Sequence, residues 1–554
     1  MTHQTGSKLH ITLAQMNPLV GDFAGNLDRA AKLIEEADEA ADLILFPELY
    51  VCGYPPEDLI LRPSFMDAVE RAVTDFAATI TKTHILLPCP WRQDGKIYNA
   101  VHLIGDGKIL HTRFKHHLPN YGVFDEMRVF KAGPLPEPIP FKGHKLGVMI
   151  CEDTWFSSVA AHLKAQGADL LISLNASPFE IGKAEQRQAV CAARIAETGL
   201  PLIYLNMIGG QDEIVFDGGS FALNAHGDYL MRAEEFAEDN VSMIWEQTPT
   251  GHWLCDTGEI RRHREGAELV YQAALLGLRD YVTKNGFPGI LIGMSGGIDS
   301  ALSAALAVDA LGPDAVQCVM MPSRYTSQES LDVAASSCRA LGVTLDSIAI
   351  NDAVNAFESN LAHHFTAETP DITHQNIQSR SRGVVLMALS NATGKMVLST
   401  GNKSEMATGY ATLYGDMCGG FNALKDIYKT TVYAMCAWRN AQKPDHGFGP
   451  DGIVIPDNIL TKPPTAELKP GQVDQDSLPP YDALDDILRG LIEQDLGTAA
   501  IAARGHDPET VSRVARMVAR AEYKRRQSAP GVKISARSFG RERRYPMTSL
   551  YRED

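Results

Sequence analysis

Six consecutive residues, Ser295-Gly296-Gly297-Ile298-Asp299-Ser300, have the make-up of a phosphate cradle. Adjacent glycines adopt backbone conformations that a side chain forbids, so successive N–H groups can converge on an anion. The apolar run before them reads as a buried strand, 289–294, and a helix opens near Asp299. That helix start adds unpaired donors and the positive end of a dipole. Ser295 and Ser300 place hydroxyls at the rim. No lysine follows the glycines, which separates this loop from the GxxxxGK[ST] P-loop. A plain glycine turn between strand and helix is the simpler alternative.

Three further residues lie at or near the ends of short apolar runs. Glu48 follows Leu43-Ile-Leu-Phe-Pro47, Cys151 follows Leu146-Gly-Val-Met-Ile150, and Lys115 sits in Arg113-Phe-Lys-His-His-Leu-Pro119. Strand ends with loops beyond them are where α/β folds place chemistry. Taken singly, a cysteine is usually a small buried hydrophobe, and a glutamate or lysine a solvated charge. Together they supply the nucleophile, base and cation of acyl transfer. A thiol with a pKa of about 8.5 is mostly protonated at neutral pH. Glu48, made more basic by burial, is the expected proton acceptor. Lys115 and the backbone N–H of Glu152 are expected to bind the oxyanion, and a thioester follows, hydrolysed by water that Glu48 activates.

The second half is dense in polar function over Ser399–Glu405, Thr408–Asp416 and Lys425–Lys429. An ATP site needs these types: carboxylates for Mg²⁺ and lysines for phosphates. Asp299 and Glu405 suit a magnesium ion between the phosphates, Lys429 suits charge on the α-phosphate, and Thr465 suits a hydroxyl contact.

The elements that must hold these residues follow from apolar patterning. Over residues 8–250 the strand candidates are Leu9–Gln15, Asp42–Pro47, Ile85–Pro88, Leu146–Ile150, Leu170–Asn175 and Pro201–Asn206. Helices are expected over Asn26–Ala41 and Lys183–Glu197, with hairpin turns at Asp106-Gly107 and His226-Gly227. A layered α/β sandwich fits. From 265 onward the pattern is helix, phosphate loop, helix 299–311, strand Ala315–Met321 and helix Thr326–Leu341. Thr326 and Glu329 read as a capping box and Gly342 as a stop, with further strands at Val343–Ile350 and Met396–Thr400. Strands alternating with helices predict a doubly wound parallel sheet, with Ser295–Ser300 at a strand's carboxyl end. The domains expected are 1–250 and 270–554, with 251–269 as a linker.

A chain of 554 residues is long for one core, in keeping with two domains. There is no run of about 18 apolar residues and no apolar core near the start, which predicts a cytoplasmic protein that does not enter a membrane. Nine cysteines without a CxxC pair argue against a disulfide framework and a structural zinc. A net charge of −17 argues against general nucleic-acid binding. Nine basic residues over 520–545 read instead as a flexible basic lid over phosphate groups, with plain surface or a subunit contact as the alternatives.

The SGGIDS stretch resembles the SGGxDS loop of the ATP pyrophosphatases. Phe46-Pro-Glu48, the KxxLP segment at Lys115 and the strand-end Cys151-Glu-Asp153 resemble the Glu-Lys-Cys triad of the nitrilase superfamily, over residues 8–245. That resemblance implies an αββα sandwich and adds Glu126, in Asn120-Tyr-Gly-Val-Phe-Asp-Glu126, as a second carboxylate orienting the triad. Residues 270–554 resemble the NAD synthetases in SGGIDS, Asn376-Ile-Gln-Ser-Arg380, STGNKSE, YGD, PPTAEL and Leu478-Pro-Pro-Tyr-Asp-Ala-Leu-Asp485. A nitrilase-like half before such a domain is similar to the glutamine-dependent members of that family. The resemblance implies hydrolysis of L-glutamine, adenylation of the nicotinate carboxylate of deamido-NAD by ATP with Mg²⁺, and displacement of AMP by ammonia. It assigns Tyr121, Ser177 and Lys183 to glutamine. It assigns Gly293, Met294, Ser295, Gly296, Gly297, Ile298, Asp299, Ser300 and Thr400 to ATP, and Asn376, Arg380, Glu405 and Lys524 to deamido-NAD. It further implies a homo-oligomer, and because ammonium has no lone pair an enclosed passage for ammonia is expected. Gln375 and Tyr523 depart from the Glu and His of smaller relatives.

Two other designs share these motifs. One aminates a different carboxylate or base, and the other is an amidase whose second domain only senses nucleotides. Release of AMP and pyrophosphate, and an acceptor panel, separate them.

Overall fold

The computed structural model describes residues 8–37, 41–248, 251–256 and 258–551. The chain divides into two compact units, the first of residues 1–211 and 215–264 and the second of residues 212–214 and 265–554.

Among the described residues, the first unit stacks two sheets. One has seven strands in the order Trp253–Cys255, Asp239–Gln247, Lys8–Gln15, Leu43–Leu45, His84–Gln93, Lys96–Gly105 and Lys108–Phe114. The other has six, in the order Tyr229–Arg232, Phe221–Leu223, Leu202–Asn206, Leu170–Asn175, His144–Ile150 and Ile139–Phe141. Strand side chains alternate faces, and the sequence uses both faces. Leu146, Val148, Ile150, Leu170, Ile172 and Leu174 pack on Leu9, Ile11, Leu13, Leu43 and Leu45 between the sheets. Their alternates Met149, Leu171, Leu202 and Tyr204 pack outward on Val159, Leu163, Cys191 and Ile195 of helices Ser157–Ala165 and Lys183–Thr198. Helices Phe23–Glu36 and Pro63–Ala77 pack together, the latter against the first sheet, so the unit is an αββα sandwich. Of the helix expected over Asn26–Ala41, positions 38–40 lie outside the described residues, as do 1–7 at the start of the chain. Both predicted hairpin turns form, and Asp106 and Gly107 have the paired positive φ values, 52° and 72°, that suit them.

The second unit holds a four-stranded, all-parallel sheet in the order Thr344–Ser347, Val316–Met320, Ile290–Gly293, Met396–Leu398. In chain order this is 3-2-1-4. The first and fourth strands are neighbours whose connections leave toward opposite sides, and ligands bind beyond the carboxyl ends at such a switch point. Ser295–Ser300 follows the first of these strands and Ser399–Gly401 the fourth. Leu291, Val319, Val397 and Leu386 form the core beside the sheet, and helices Tyr481–Ile492 and Pro508–Arg520 build a separate cluster with Tyr428 and Ala407.

Within residues 251–269, expected as the linker, Trp253–Cys255 is an edge strand and helix Gly266–Lys284 begins. Two other expectations change. The helix cap is Ser327 rather than Thr326: the Ser327 side chain accepts from Ser330 N, while the Thr326 hydroxyl accepts from Ser323 N. Gly342 does end that helix, in the left-handed conformation. Part of the basic stretch 520–545 is internal structure rather than a lid: Arg525, Lys533 and Arg543 are buried. Arg525 donates to Ala407 O at 2.7 Å and to Glu522 Oε2 at 2.7 Å, Arg543 donates to the same carboxylate at 2.6 Å, and Lys533 donates to Ser535 O at 2.9 Å. Phe539 lies under both arginines, giving cations an apolar, π-faced surrounding that a solvated tail lacks.

Candidate active site

In the first unit Lys115 is fully buried, its Nζ donating to Glu48 Oε1 at 2.7 Å and to Glu126 Oε1 at 2.9 Å. Glu48 also accepts from Asn99 Nδ2 at 2.7 Å and from Ala176 N at 3.0 Å, and Glu126 accepts from Tyr54 OH at 2.9 Å. Burial works against the Lys115 ammonium, yet Glu126 and Glu48 hold its pKa well above the ordinary value. Burial, followed by the attraction of Lys115 and the repulsion of Glu48, leaves Glu126 at about 7.

Cys151 opens a short 3-10 turn, Cys151–Trp155, after strand His144–Ile150. Ile150 pairs with Leu174 on the adjacent strand, and Ala176, two residues beyond, is the donor to Glu48. Neighbouring strands lie about 4.8 Å apart, so sheet register brings nucleophile and base to one spot. The thiol feels Glu48, Lys115, Glu152 and Glu126 together, and burial pushes its pKa well up. It therefore rests protonated and needs a base at the moment of attack. The Cys151 backbone has φ 43°, a left-handed conformation rare for residues with a Cβ and common where a reactive side chain is presented.

Asp153 fixes the turn to the lysine's loop. Its Oδ1 accepts from His116 N and His117 N at 3.0 and 2.8 Å, and its Oδ2 from Ile150 N at 3.2 Å. Sequence reasoning passed over Asp153, Asn99 and Tyr54; only Asp153, inside the CED triplet, had a signal. Of the expected glutamine contacts, Tyr121 is half exposed and donates to Glu152 Oε2 at 3.0 Å. Lys183 lies 4.4 Å over the Trp155 ring and influences Glu152 electrostatically. Ser177 is buried and spends its hydroxyl as acceptor to Arg187 Nε at 3.1 Å. Glu152, whose side chain was not anticipated, thus stands between Tyr121, Lys183 and the cysteine's turn.

In the second unit the glycine turn forms as expected. Gly296 has φ +81°, and a Cβ there would lie 2.4 Å from Ser330 O. The hydroxyls brace the loop: Ser295 N and Gly297 N donate to Ser300 Oγ and Ser295 Oγ at 3.3 and 3.2 Å, and Ser300 Oγ donates to Gly297 O at 2.9 Å. Helix Ile298–Leu311 starts without a side-chain cap, leaving its first donors for an anion. The loop lines a cleft shared with Thr400, Glu405, Lys429, Lys462 and Thr465.

Lys429 is buried and hydrogen-bonded to Asp299 Oδ2, with Glu405 Oε1 at 3.5 Å. Its helix start is set by Ser404 Oγ, which accepts from Lys429 N at 3.0 Å and donates to Asp485 Oδ1 at 2.5 Å. Asp485 of the LPPYDALD segment also accepts from Thr430 N at 2.9 Å. Asn402 was missed, although Asn402-Lys-Ser-Glu405 carries a capping signal. It caps the helix with Glu405 and donates to Asp299 Oδ1 at 3.0 Å. Burial and the charge of Asp299 push Glu405 up to about 8, and burial pushes Asp416 up to about 6. Thr465 donates to Gln472 O at 2.6 Å.

Asn376, Arg380 and Lys524 gather on one loop beside the cleft. Asn376 Oδ1 accepts from Thr412 Oγ1 at 3.0 Å, Arg380 donates to Leu413 O at 3.2 Å, and Lys524 donates to Gly409 O and Ala411 O at 2.8 and 2.7 Å. Tyr410 and Ala411 of that loop line the cleft.

Comparison with known proteins agrees with both halves. Residues 10–244 match the carbon-nitrogen hydrolase family and residues 270–528 the NAD synthase family. A glutamine-dependent NAD(+) synthetase of Rhodobacter capsulatus is 46% identical over 99% of both chains. That of Xanthomonas campestris pv. campestris is 45% identical over 99% of this chain and 98% of its own. The solved glutamine-dependent NAD+ synthetase of Acinetobacter baumannii is 40% identical, with a TM-score of 0.78 over 99% of this chain and 100% of its own. The chain belongs to the family of glutamine-dependent NAD(+) synthetases.

Proposed function

We propose that the chain amidates deamido-NAD to NAD with ATP and ammonia drawn from L-glutamine, yielding AMP, pyrophosphate and glutamate. The observation that carries this conclusion is one chain holding both a buried Glu48–Lys115–Glu126 cluster beside Cys151 and a phosphate nest faced by Asp299 and Lys429. The full-length similarity to enzymes of that name supports it.

In the first unit, Glu48 takes the Cys151 proton as sulfur attacks the side-chain amide carbon of glutamine. Lys115 and the Glu152 N–H face the oxyanion, and the amide nitrogen takes the proton back from Glu48 and leaves as ammonia while the thioester forms. Water activated by Glu48 then releases glutamate. Free glutamine is a zwitterion at its α-carbon, so the Glu152 carboxylate suits its ammonium, and Lys183 with Tyr121 suits its carboxylate. Attack needs NH₃ rather than NH₄⁺, which has no lone pair.

In the second unit, the nicotinate carboxylate of deamido-NAD attacks the α-phosphorus of ATP, and ammonia then displaces AMP from the acyl-adenylate. The 295–300 backbone cradles phosphate oxygens, Lys429 faces the α-phosphate, and Thr400 and Thr465 border the nucleotide. Asn376, Arg380, Glu405 and Lys524 frame the dinucleotide side. The Acinetobacter baumannii relative was solved with ADP, which supports a nucleotide in this cleft.

Magnesium fits the donor set. Glu405 feels Asp299, Asp474 and Asp416 as well as Lys429, an excess of carboxylates over ammonium that a divalent cation would relieve. Asp299 and Glu405 would hold it. Among the described residues no group of three or more His, Cys, Asp or Glu forms a cage, so phosphate oxygens and waters would complete its shell. When bound, the ion supplies positive charge for the phosphates. Family membership supports a homo-oligomer acting in the cytoplasm, and no helix among the described residues is long and apolar enough to cross a membrane.

Quantifying products from glutamine, ATP and deamido-NAD tests this function. NAD, AMP, pyrophosphate and glutamate should appear in equal amounts. Glutamate without AMP would sink it in favour of an amidase with a sensing domain.

A further inference from the structure

The phosphate loop lacks the lysine that a P-loop carries after its glycines. The only lysine so far placed on the phosphates, Lys429, is drawn to Asp299 and Glu405. A departing pyrophosphate still needs positive charge. We propose that Lys462 supplies it, moving from Glu467 onto the β- and γ-phosphates of ATP and remaining with pyrophosphate as it leaves. This rests on the cleft being the ATP site.

Lys462 lines the same cleft as Gly296 and Asp299. Its Nζ is 2.8 Å from Ser330 Oγ and 3.3 Å from Glu467 Oε1, with Glu329 Oε2 at 3.7 Å. Ser330 is the residue whose carbonyl abuts the Gly296 turn, so the ammonium is anchored one residue away from the phosphate nest. Its side chain is 17% exposed, enough to be reached from the cleft.

Glu467 does not depend on this lysine. Its Oε1 has the hydroxyls of Ser327 and Ser330 at 2.8 Å each, and its Oε2 accepts from Ser327 N at 3.2 Å. The carboxylate therefore stays satisfied when Lys462 departs, and a flexible four-carbon stem with three donors suits such a move. Pro463 and Pro464 follow, and their fixed φ angles hold the stem's base in place. Glu467 itself has φ 47°, the conformation a side-chain-bearing residue adopts when its surroundings dictate it. In the adenylation step a carboxylate oxygen bonds to the α-phosphorus while the bond from that phosphorus to the bridging oxygen breaks. The electron pair leaves on pyrophosphate. The Lys462 ammonium offsets that charge and transfers no proton.

Calorimetric binding of pyrophosphate, ATP and AMP to the full-length chain tests this. Lys462→Met should weaken pyrophosphate and ATP by about 10- to 100-fold, the range for a lost hydrogen bond to a charged group. AMP, which lacks the β- and γ-phosphates, should be unaffected, and Lys462→Arg should recover most of the loss. Unchanged pyrophosphate binding in Lys462→Met, or equal weakening of AMP, would overturn the proposal. If the parent chain bound neither ATP nor pyrophosphate, the cleft's assignment would fall first. Amine-reactive labelling of the parent chain gives a second reading that needs no variant: pyrophosphate should protect Lys462 and AMP should not, and labelling indifferent to pyrophosphate would count against it.

Discussion

Replacing Lys115 by methionine keeps the length of the stem and removes one charge from the centre of the first site. The ammonium lies 2.7 Å from Glu48 Oε1 and 2.9 Å from Glu126 Oε1, and all three side chains are buried. Unit charges 4 Å apart interact by about 4 kcal/mol at an effective dielectric near 20. Desolvation offsets much of that in the intact cluster, but breaking a buried pair by removing one partner typically costs about 3–5 kcal/mol. The sign with pH follows. Lys115's folded pKa lies above its unfolded value, so its contribution is complete below about 10.4 and is lost only at still higher pH. The parent's lysine contribution is therefore flat from pH 5 to 8. In the variant Glu126, already raised to about 7 by burial, loses the lysine that lowers it, and a raised carboxylate favours the fold at low pH and loses that advantage as pH rises. Scanning calorimetry of the full chain should show a depressed first-unit transition at pH 8 and a smaller depression at pH 5. Glutaminase turnover should fall by about a thousandfold, in line with a lost oxyanion donor. An equal depression at both pH values, or turnover within tenfold of the parent, would refute the charge-cluster account.

Other outcomes follow from the same geometry. Glu152→Gln should raise KM for glutamine by about 10- to 100-fold, the cost of a hydrogen bond to a charged group, while ammonium-driven NAD formation stays at the parent rate in a coupled assay. Gly296→Ala places a Cβ 2.4 Å from Ser330 O at φ +81°. Equilibrium dialysis should show ATP affinity down by tenfold or more, from strain of about 1–3 kcal/mol plus the clash. Glu405 protonates at about 8, so magnesium binding in the presence of ATP should release a proton and weaken as pH falls below that value. Glu405→Gln should remove this slope in a magnesium titration at pH 7 and 9.

Much of this molecule is legible in its letters, where local pattern and tertiary demand agree. The 295–300 loop, Glu48, Lys115 and Cys151 could be placed because strand ends are readable and their residue types have few joint uses. Pairing partners were harder. The strand expected to stop at Pro88 runs to Gln93, with Pro88 and Pro90 opposite Val101 and Asn99, and an Asp94-Gly95 turn leads into its partner. Prolines argue against a central strand, and only the sheet's register shows where they are tolerated. Trp253–Cys255 looked like linker because an edge strand of three residues leaves no periodicity to read. Charge was least legible. Arg525 and Arg543 of the basic stretch read as partners of phosphate, yet they donate to Ala407 O and to Glu522, because burial of a cation is decided by which acceptors the fold brings near it.

Separate chemistry at two sites within one chain is most directly tested with Cys151→Ala, assayed for NAD formation with glutamine and, in parallel, with ammonium salt. Glutamine-driven synthesis should vanish while ammonium-driven synthesis persists near the parent rate. Loss of both activities, or survival of the glutamine-driven one, would contradict the assignment of Cys151 as the nucleophile that supplies the second site.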